Sequence, residues 1–317
     1  MPDHTHGHNH SHRHSSQRVL LLALAFTTFF AIIEAIAGWW SNSLALIGDA
    51  GHMITDSLAL GLGALAAWMS RRPPSLRHSY GLKRAEAVGA LLNIVLMLGV
   101  IAYISIEAVQ RLTAPQPVKG GAVMLVAAIG LFVNVGVAWV LNRGEQNLNV
   151  RGAMLHVMGD LLGSVAALSA GTVIWLTGWY PIDSILSAFI GVLILISSLR
   201  LLRDVLHVVM EGVPKDIDLE KVGQAMATVP GVRHVHDLHV WALDSSTYAV
   251  SAHIVLMDMA EWEQRRQALE VMLTTKFGIT HATLQPENLN AFESACADNS
   301  CGPVFNNPEL MKGVANG

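Results

Sequence analysis

The chain has 317 residues, of which 52% are hydrophobic and only 14% charged, and its mean hydropathy is positive, whereas soluble domains carry roughly a quarter charged residues. That balance points to a membrane protein. A net charge of −4 with no basic stripe interleaved with aromatics argues against nucleic-acid binding.

Residues 1–16 form a polar tract in which His4, His6, His8, His10, His12 and His14 alternate with other residues, a composition that collects metal ions loosely. It has neither the basic start nor the short apolar core of a signal peptide. Residues 17–206 then supply six apolar stretches, at about 19–40, 44–69, 85–110, 120–141, 153–177 and 182–202, each long enough for a helical span of about 20 residues. Breakers separate the third from the fourth (Pro115, Pro117, Gly120) and the fifth from the sixth (Gly178, Pro181). The tightest turn is Trp40-Ser-Asn-Ser-Leu44. Arg13, Arg18, Arg71, Arg72, Arg77, Lys83, Arg84, Arg143, Arg151, Arg200 and Arg203 gather on one side, against little beyond Lys119 and Arg111 on the other. Cytoplasmic loops carry such an excess, so both termini are expected in the cytoplasm.

Two spans carry a matched motif. In the second, Asp49-Ala-Gly-His52-Met-Ile-Thr-Asp56 sets an imidazole and a carboxylate one helical turn apart on one face; in the fifth, His156-Val-Met-Gly-Asp160 repeats the spacing. An Asp at membrane depth costs at least about 2.5 kcal/mol, and such residues mark ion paths by default. Two imidazoles and two carboxylates suit tetrahedral Zn²⁺, whereas Mg²⁺ and Ca²⁺ prefer oxygen alone; Cd²⁺, Co²⁺, Fe²⁺ and Ni²⁺ stay open. An unperturbed imidazole titrates near pH 6.5, so it can exchange a proton for a metal around neutrality. Asp49 is either an orienting partner of an imidazole or a charge at the aqueous mouth. Glu34, Glu86, Asn93, Glu107 and Asn134 are weaker polar signals, for which helix-to-helix hydrogen bonds are the commoner fate.

From about 207 to 288 the pattern becomes that of a small soluble α+β domain, in the order helix, strand, strand, helix, strand. The helices are expected at Asp218 to Thr228 and at Glu261 to Phe277 before Gly278, and the strands at Val232 to Leu243, Tyr248 to Met257 and Thr280 to Gln285. His236 and His253 are the preferred metal-ligand pair here, completed by Glu287, Cys296 or Cys301. Simple alternation puts His234 and His236 on one strand face and His239 on the other. The two cysteines, Cys296 and Cys301, are too few and too close for a disulfide framework and fit a reducing compartment. Residues 289–317 are polar and expected to be disordered. No HExxH occurs, which argues against an intramembrane zinc protease.

The chain resembles the cation diffusion facilitator family, and looks closest to its bacterial zinc and cadmium exporters. The resemblance is carried by Ser43 to Asp56, Tyr80-Gly-Leu-Lys-Arg-Ala-Glu86, Asn147-Leu-Asn-Val-Arg-Gly-Ala153 with His156 and Asp160, and His236-Asp-Leu-His-Val-Trp241. It implies a homodimer in the bacterial inner membrane, six spans per subunit, a cytoplasmic metallochaperone-like domain, and efflux of Zn²⁺ against protons through His52, Asp56, His156 and Asp160. A further family site in the loop after the second span is not expected, because His78 matches one ligand but Leu82 stands where another His would be. The cytoplasmic family site is matched by His236 and His253, with Gln285 in place of a His and Glu287 in place of an Asp. The rival readings are a membrane-anchored metal sensor or store, and an exporter preferring Fe²⁺ or another divalent ion.

Overall fold

The computed structural model describes residues 10–143, 148–295 and 302–308; the side chains of 10–23, 141, 143, 148–153, 155, 156, 294 and 295 fall outside that description. Two units are distinguished, one of residues 1–63 and 91–201, the other of 64–90 and 202–317.

Six long helices appear where the hydropathy predicts them: α1 (His10–Ser41), α2 (Leu44–Ser70), α3 (Ala85–Thr113), α4 (Gly120–Arg143), α5 (Leu148–Thr177) and α6 (Pro181–Val209). All six are long and apolar enough to cross a membrane. Trp39, Trp40, Phe132, Trp175 and many branched aliphatics point outward, as lipid-facing side chains do.

In the first unit α4 packs along α5, and both helices supply glycine at the crossing. A Cβ on Gly171 would stand 2.6 Å from the Met124 amide nitrogen, and one on Gly120 would stand 2.8 Å from that of Trp175. Small residues let helix backbones meet closely where lipid offers no hydrophobic drive. The α1–α2 turn is held by charge. Asn42 adopts a left-handed φ of 58°, and Arg111 donates to its backbone oxygen at 2.6 Å and its side-chain oxygen at 3.0 Å. Lys119 lies 3.8 Å over the Trp40 ring.

In the second unit α7 (Leu219–Ala227) is capped by Asp218, which accepts from the Lys221 amide, and α8 (Trp262–Phe277) ends at Gly278 with φ 68°. Strands β1 (Val232–Ala242), β2 (Tyr248–Leu256) and β3 (Ile279–Glu287) follow the expected order. β1 and β2 form an antiparallel hairpin, and α8 carries the crossover that makes β3 parallel to β2. Met226, Val235, Val240, Ile254, Leu269, Leu273 and Ile279 close the core between the helices and one face of the sheet.

Two expectations need correction. Residues after 288, expected to be disordered, carry α9 (Leu289–Ala295) and β4 (Phe305–Asn306), which pairs antiparallel with β1 in a sheet of order β3-β2-β1-β4. The reason is apolar: Phe305 is buried in the core cluster, and Phe292 lies against the His234 and His236 rings. His239, placed opposite His236 by simple alternation, shares its face. A bulge lies between them, with Asp237 at φ 49°, so that His236 pairs with His253 and His239 with Ser251. His253 and Ser251 are two apart on β2 and face the same way.

Candidate metal centres

On α2, His52 Nδ1 lies 3.4 Å from Asp56 Oδ2, one turn along the same face. Asp160 on α5 is buried. The His156 side chain lies outside the described residues, so three of the four expected ligands have described side chains.

The register of the two helices is set where Asp49 meets Gly163. A Cβ on Gly163 would stand 2.3 Å from Asp49 Oδ1, so only hydrogen fits. Three crossings apart, α2 and α5 run antiparallel. Three residues on from Asp49 comes His52, and three residues back from Gly163 comes Asp160, each about 4.5 Å of rise in the same direction. One further turn brings Asp56 on α2 and position 156 on α5. Position 52 therefore stands level with position 160, and position 56 with position 156. A small cavity of about 10 Å³ beside the α2 motif, lined by Asp49, His52, Met97 and Ser187 among others, is at the lower limit for holding one water.

Asp49 is 2% exposed, which sets it apart from an aqueous mouth, and Glu34 on α1 is fully buried. Glu34 and Asp49 both interact electrostatically with Asp160 and with each other. Three carboxylates from three helices thus share one buried neighbourhood. Glu34 was only a weak signal in the sequence, because one Glu in an apolar span has no periodic partner. The other polar residues are mostly structural. Asn134 donates to Ser164 at 3.2 Å across α4 and α5, Glu107 pairs with Arg111 at 2.8 Å, and Glu86 accepts from the Ser245 amide at 3.3 Å.

Sequence reasoning missed Asp183. From the start of α6 it accepts hydrogen bonds from Ser43 Oγ and the Leu44 amide, both at 2.6 Å, and from the Ala45 amide at 3.4 Å. It therefore caps α2 from another helix, satisfying orphan amides and setting a negative charge at the positive end of the helix dipole. Nothing in the local sequence links residues 43 and 183.

The second centre lies on the open face of the sheet. His236 on β1, His253 on β2 and Glu287 at the end of β3 bring one ligand atom each within 4.8 Å of one another. His236 Nε2 is 3.0 Å from Glu287 Oε2, and His253 Nδ1 is 2.8 Å from Glu287 Oε1. The second approach lacks hydrogen-bond alignment. His236 is 1% exposed, sheltered by Phe292 of α9. Gln285, where a His would complete the set, turns its amide to Glu287 at 3.3 Å. Next to the cluster, burial and the charges of Arg233 and His236 hold His234 below the usual imidazole range, against an Asn306 hydrogen bond that raises it. Cys296, Cys301, His4, His6 and His8 lie outside the described residues, as do the side chains of His10, His12 and His14.

A profile of the cation efflux transmembrane domain matches residues 20–210, and one of the cation efflux protein cytoplasmic domain matches residues 214–289. The chain belongs to the cation efflux family. Among similar proteins, the zinc transporter ZitB of Yersinia pestis is 40% identical over 90% of this chain and 92% of its own length. The cadmium, cobalt and zinc/H(+)-K(+) antiporter of Bacillus subtilis is 37% identical over 86% and 89%. The metal cation efflux system protein CzcD of Cupriavidus metallidurans is 39% identical over 86% and 87%. Like these cation efflux proteins, the chain is a multi-pass membrane transporter of divalent metal rather than an enzyme, as its resemblance to the cation diffusion facilitators implied.

Proposed function

We propose that this efflux protein exports Zn²⁺ from the cytoplasm in exchange for protons, through a single site built from His52, Asp56, His156 and Asp160. The observation that carries the reading is the Asp49–Gly163 contact, because it sets two His-x-x-x-Asp motifs in step on antiparallel helices. Two imidazoles and two carboxylates suit a tetrahedral zinc ion of ligand distances near 2.0–2.2 Å. Each imidazole must be neutral to bind metal, so occupancy by metal and by protons exclude each other. The names of the relatives support zinc as cargo and an antiport cycle.

The Lys and Arg excess supports a cytoplasmic position for both termini, and the bacterial relatives support an inner-membrane location. His236, His253 and Glu287 bind a regulatory zinc ion in the cytoplasmic domain, and two subunits pair as a homodimer. The experiment is ⁶⁵Zn²⁺ movement in sealed proteoliposomes under an imposed pH gradient, with Cd²⁺, Co²⁺ and Fe²⁺ as competitors. Zinc accumulation that follows the gradient and collapses with it supports the reading. Zinc that binds but does not accumulate identifies a sensor or store, and stronger competition by Fe²⁺ identifies a different cargo.

A further inference from the structure

A run of contacts ties the segment around β4 to the cytoplasmic metal cluster. Phe305 is buried in the domain core, and its ring fills the hollow left by Gly223 of α7, where any Cβ would overlap it. Phe305 pairs with Val235, and Asn306 with His234. The Asn307 amide donates to the Arg233 oxygen at 3.1 Å, and its side chain to the Val232 oxygen at 2.9 Å. Anchored on both sides, Asn306 holds its Oδ1 2.7 Å from His234 Nδ1 and so fixes the plane of that ring. Phe292 of α9 stacks on the His234 ring, with centroids 5.0 Å apart and planes 21° from parallel. The same Phe292 meets the ring of the ligand His236 at 5.0 Å and 62°. His253 meets His236 at 5.1 Å and 81°. The His236 ring is thus held between two neighbours, with Nε2 turned to Glu287 at 3.0 Å. Yet β4 itself is only two residues long, and short edge segments of this kind open locally far more readily than a domain core.

We infer that docking of the Phe305–Asn307 segment and metal binding at His236, His253 and Glu287 are linked, with His234 and Phe292 as the positioning residues that carry the link to His236. This rests on the proposed metal-binding role of that cluster. Groups that orient a metal ligand are worth about ten- to a hundredfold in affinity, and here they stay in place only while the segment is docked. Linkage is reciprocal. Whatever factor docking adds to metal affinity, bound metal adds to the docking equilibrium. The segment therefore reports metal occupancy. Undocking bares the edge of β1 and the Gly223 hollow, so the metal-free domain offers a surface that the loaded one covers.

The test uses the full chain in nanodiscs, with Asp56→Ala and Asp160→Ala removing the proposed membrane site. Two readouts are taken: the visible band of four-coordinate Co²⁺, and amide hydrogen exchange of residues 302–308 with and without Zn²⁺. Saturating Zn²⁺ is expected to slow that exchange by about tenfold or more, and Glu287→Gln to remove both the slowing and the band. Phe305→Ala and Gly223→Ala disturb the anchor from opposite sides. Each is expected to weaken Co²⁺ binding by about tenfold, as is Phe292→Ala, whereas Phe305→Leu, which refills the hollow, stays within about threefold of the wild type. Unaltered exchange in β2 and α8 checks that each variant is folded. Exchange of 302–308 that ignores Zn²⁺, or Co²⁺ affinity within about twofold of the wild type in both anchor variants, overturns the linkage while a Glu287-dependent band upholds the site. A band untouched by Glu287→Gln and by His236→Gln overturns the metal-site reading on which the linkage rests.

Discussion

Gly163→Ala is the smallest change that reaches the proposed transport site without altering a ligand. The added methyl would lie 2.3 Å from Asp49 Oδ1 and 2.9 Å from Asp49 Cγ, where ordinary contact begins at 3.4 Å. The clash is with a short side chain that is 2% exposed, so rotation alone gives little relief and the helices must part by about 1 Å; a displacement of that size can cost about a hundredfold in rate. Overpacking costs about 1–3 kcal/mol, and the gain in helix propensity returns about 1 of that. The variant is therefore expected to fold, with a modest loss of thermal stability, while pH-driven zinc flux in proteoliposomes falls by at least about tenfold. Flux within about twofold of the wild type refutes the idea that this contact sets the register of the two motifs.

Asp183→Ala removes the acceptor for Ser43 and for two amides at the start of α2; it is expected to cost about 1–2 kcal/mol, read as a lower melting temperature in detergent. His52→Asp, by making the site richer in oxygen, should shift competition away from zinc and towards harder divalent ions. Asp244 gives a pH signature. Burial raises its pKa, but hydrogen bonds from Ser246, Thr247 and Lys83 outweigh that and hold it below the usual carboxylate range. The sign follows from linkage. A depressed folded pKa stabilises above the unfolded value near 3.9 and loses that effect as the pH falls through the folded one. Asp244→Asn should therefore be less stable than the wild type near neutrality, with the gap closing below about pH 4.

The six spans were legible because lipid demands a continuous apolar run, and the His52–Asp56 face because a helix repeats every 3.6 residues. Pairs such as His52 and Asp56 need only their spacing to be placed together. The cap of α2 by Asp183 was not legible, since its partners lie some 140 positions away, and neither was the burial of Glu34 beside Asp49 and Asp160. The sheet shows the same division. Alternation gave β1, β2 and β3, but period-two counting fails at a bulge, and only the left-handed Asp237 brings His239 round beside His236. The polar composition after 288 hid two aromatic anchors, Phe292 and Phe305, which fix α9 and β4 to the domain.

Two motifs on two helices are proposed to make one transport site. The direct measurement is ⁶⁵Zn²⁺ flux under a pH gradient in proteoliposomes of Asp56→Ala and, separately, Asp160→Ala, each checked for a wild-type elution profile. Each single variant is predicted to abolish the flux, since either loss opens the same coordination shell. Gradient-driven zinc movement retained in either folded variant would contradict the account.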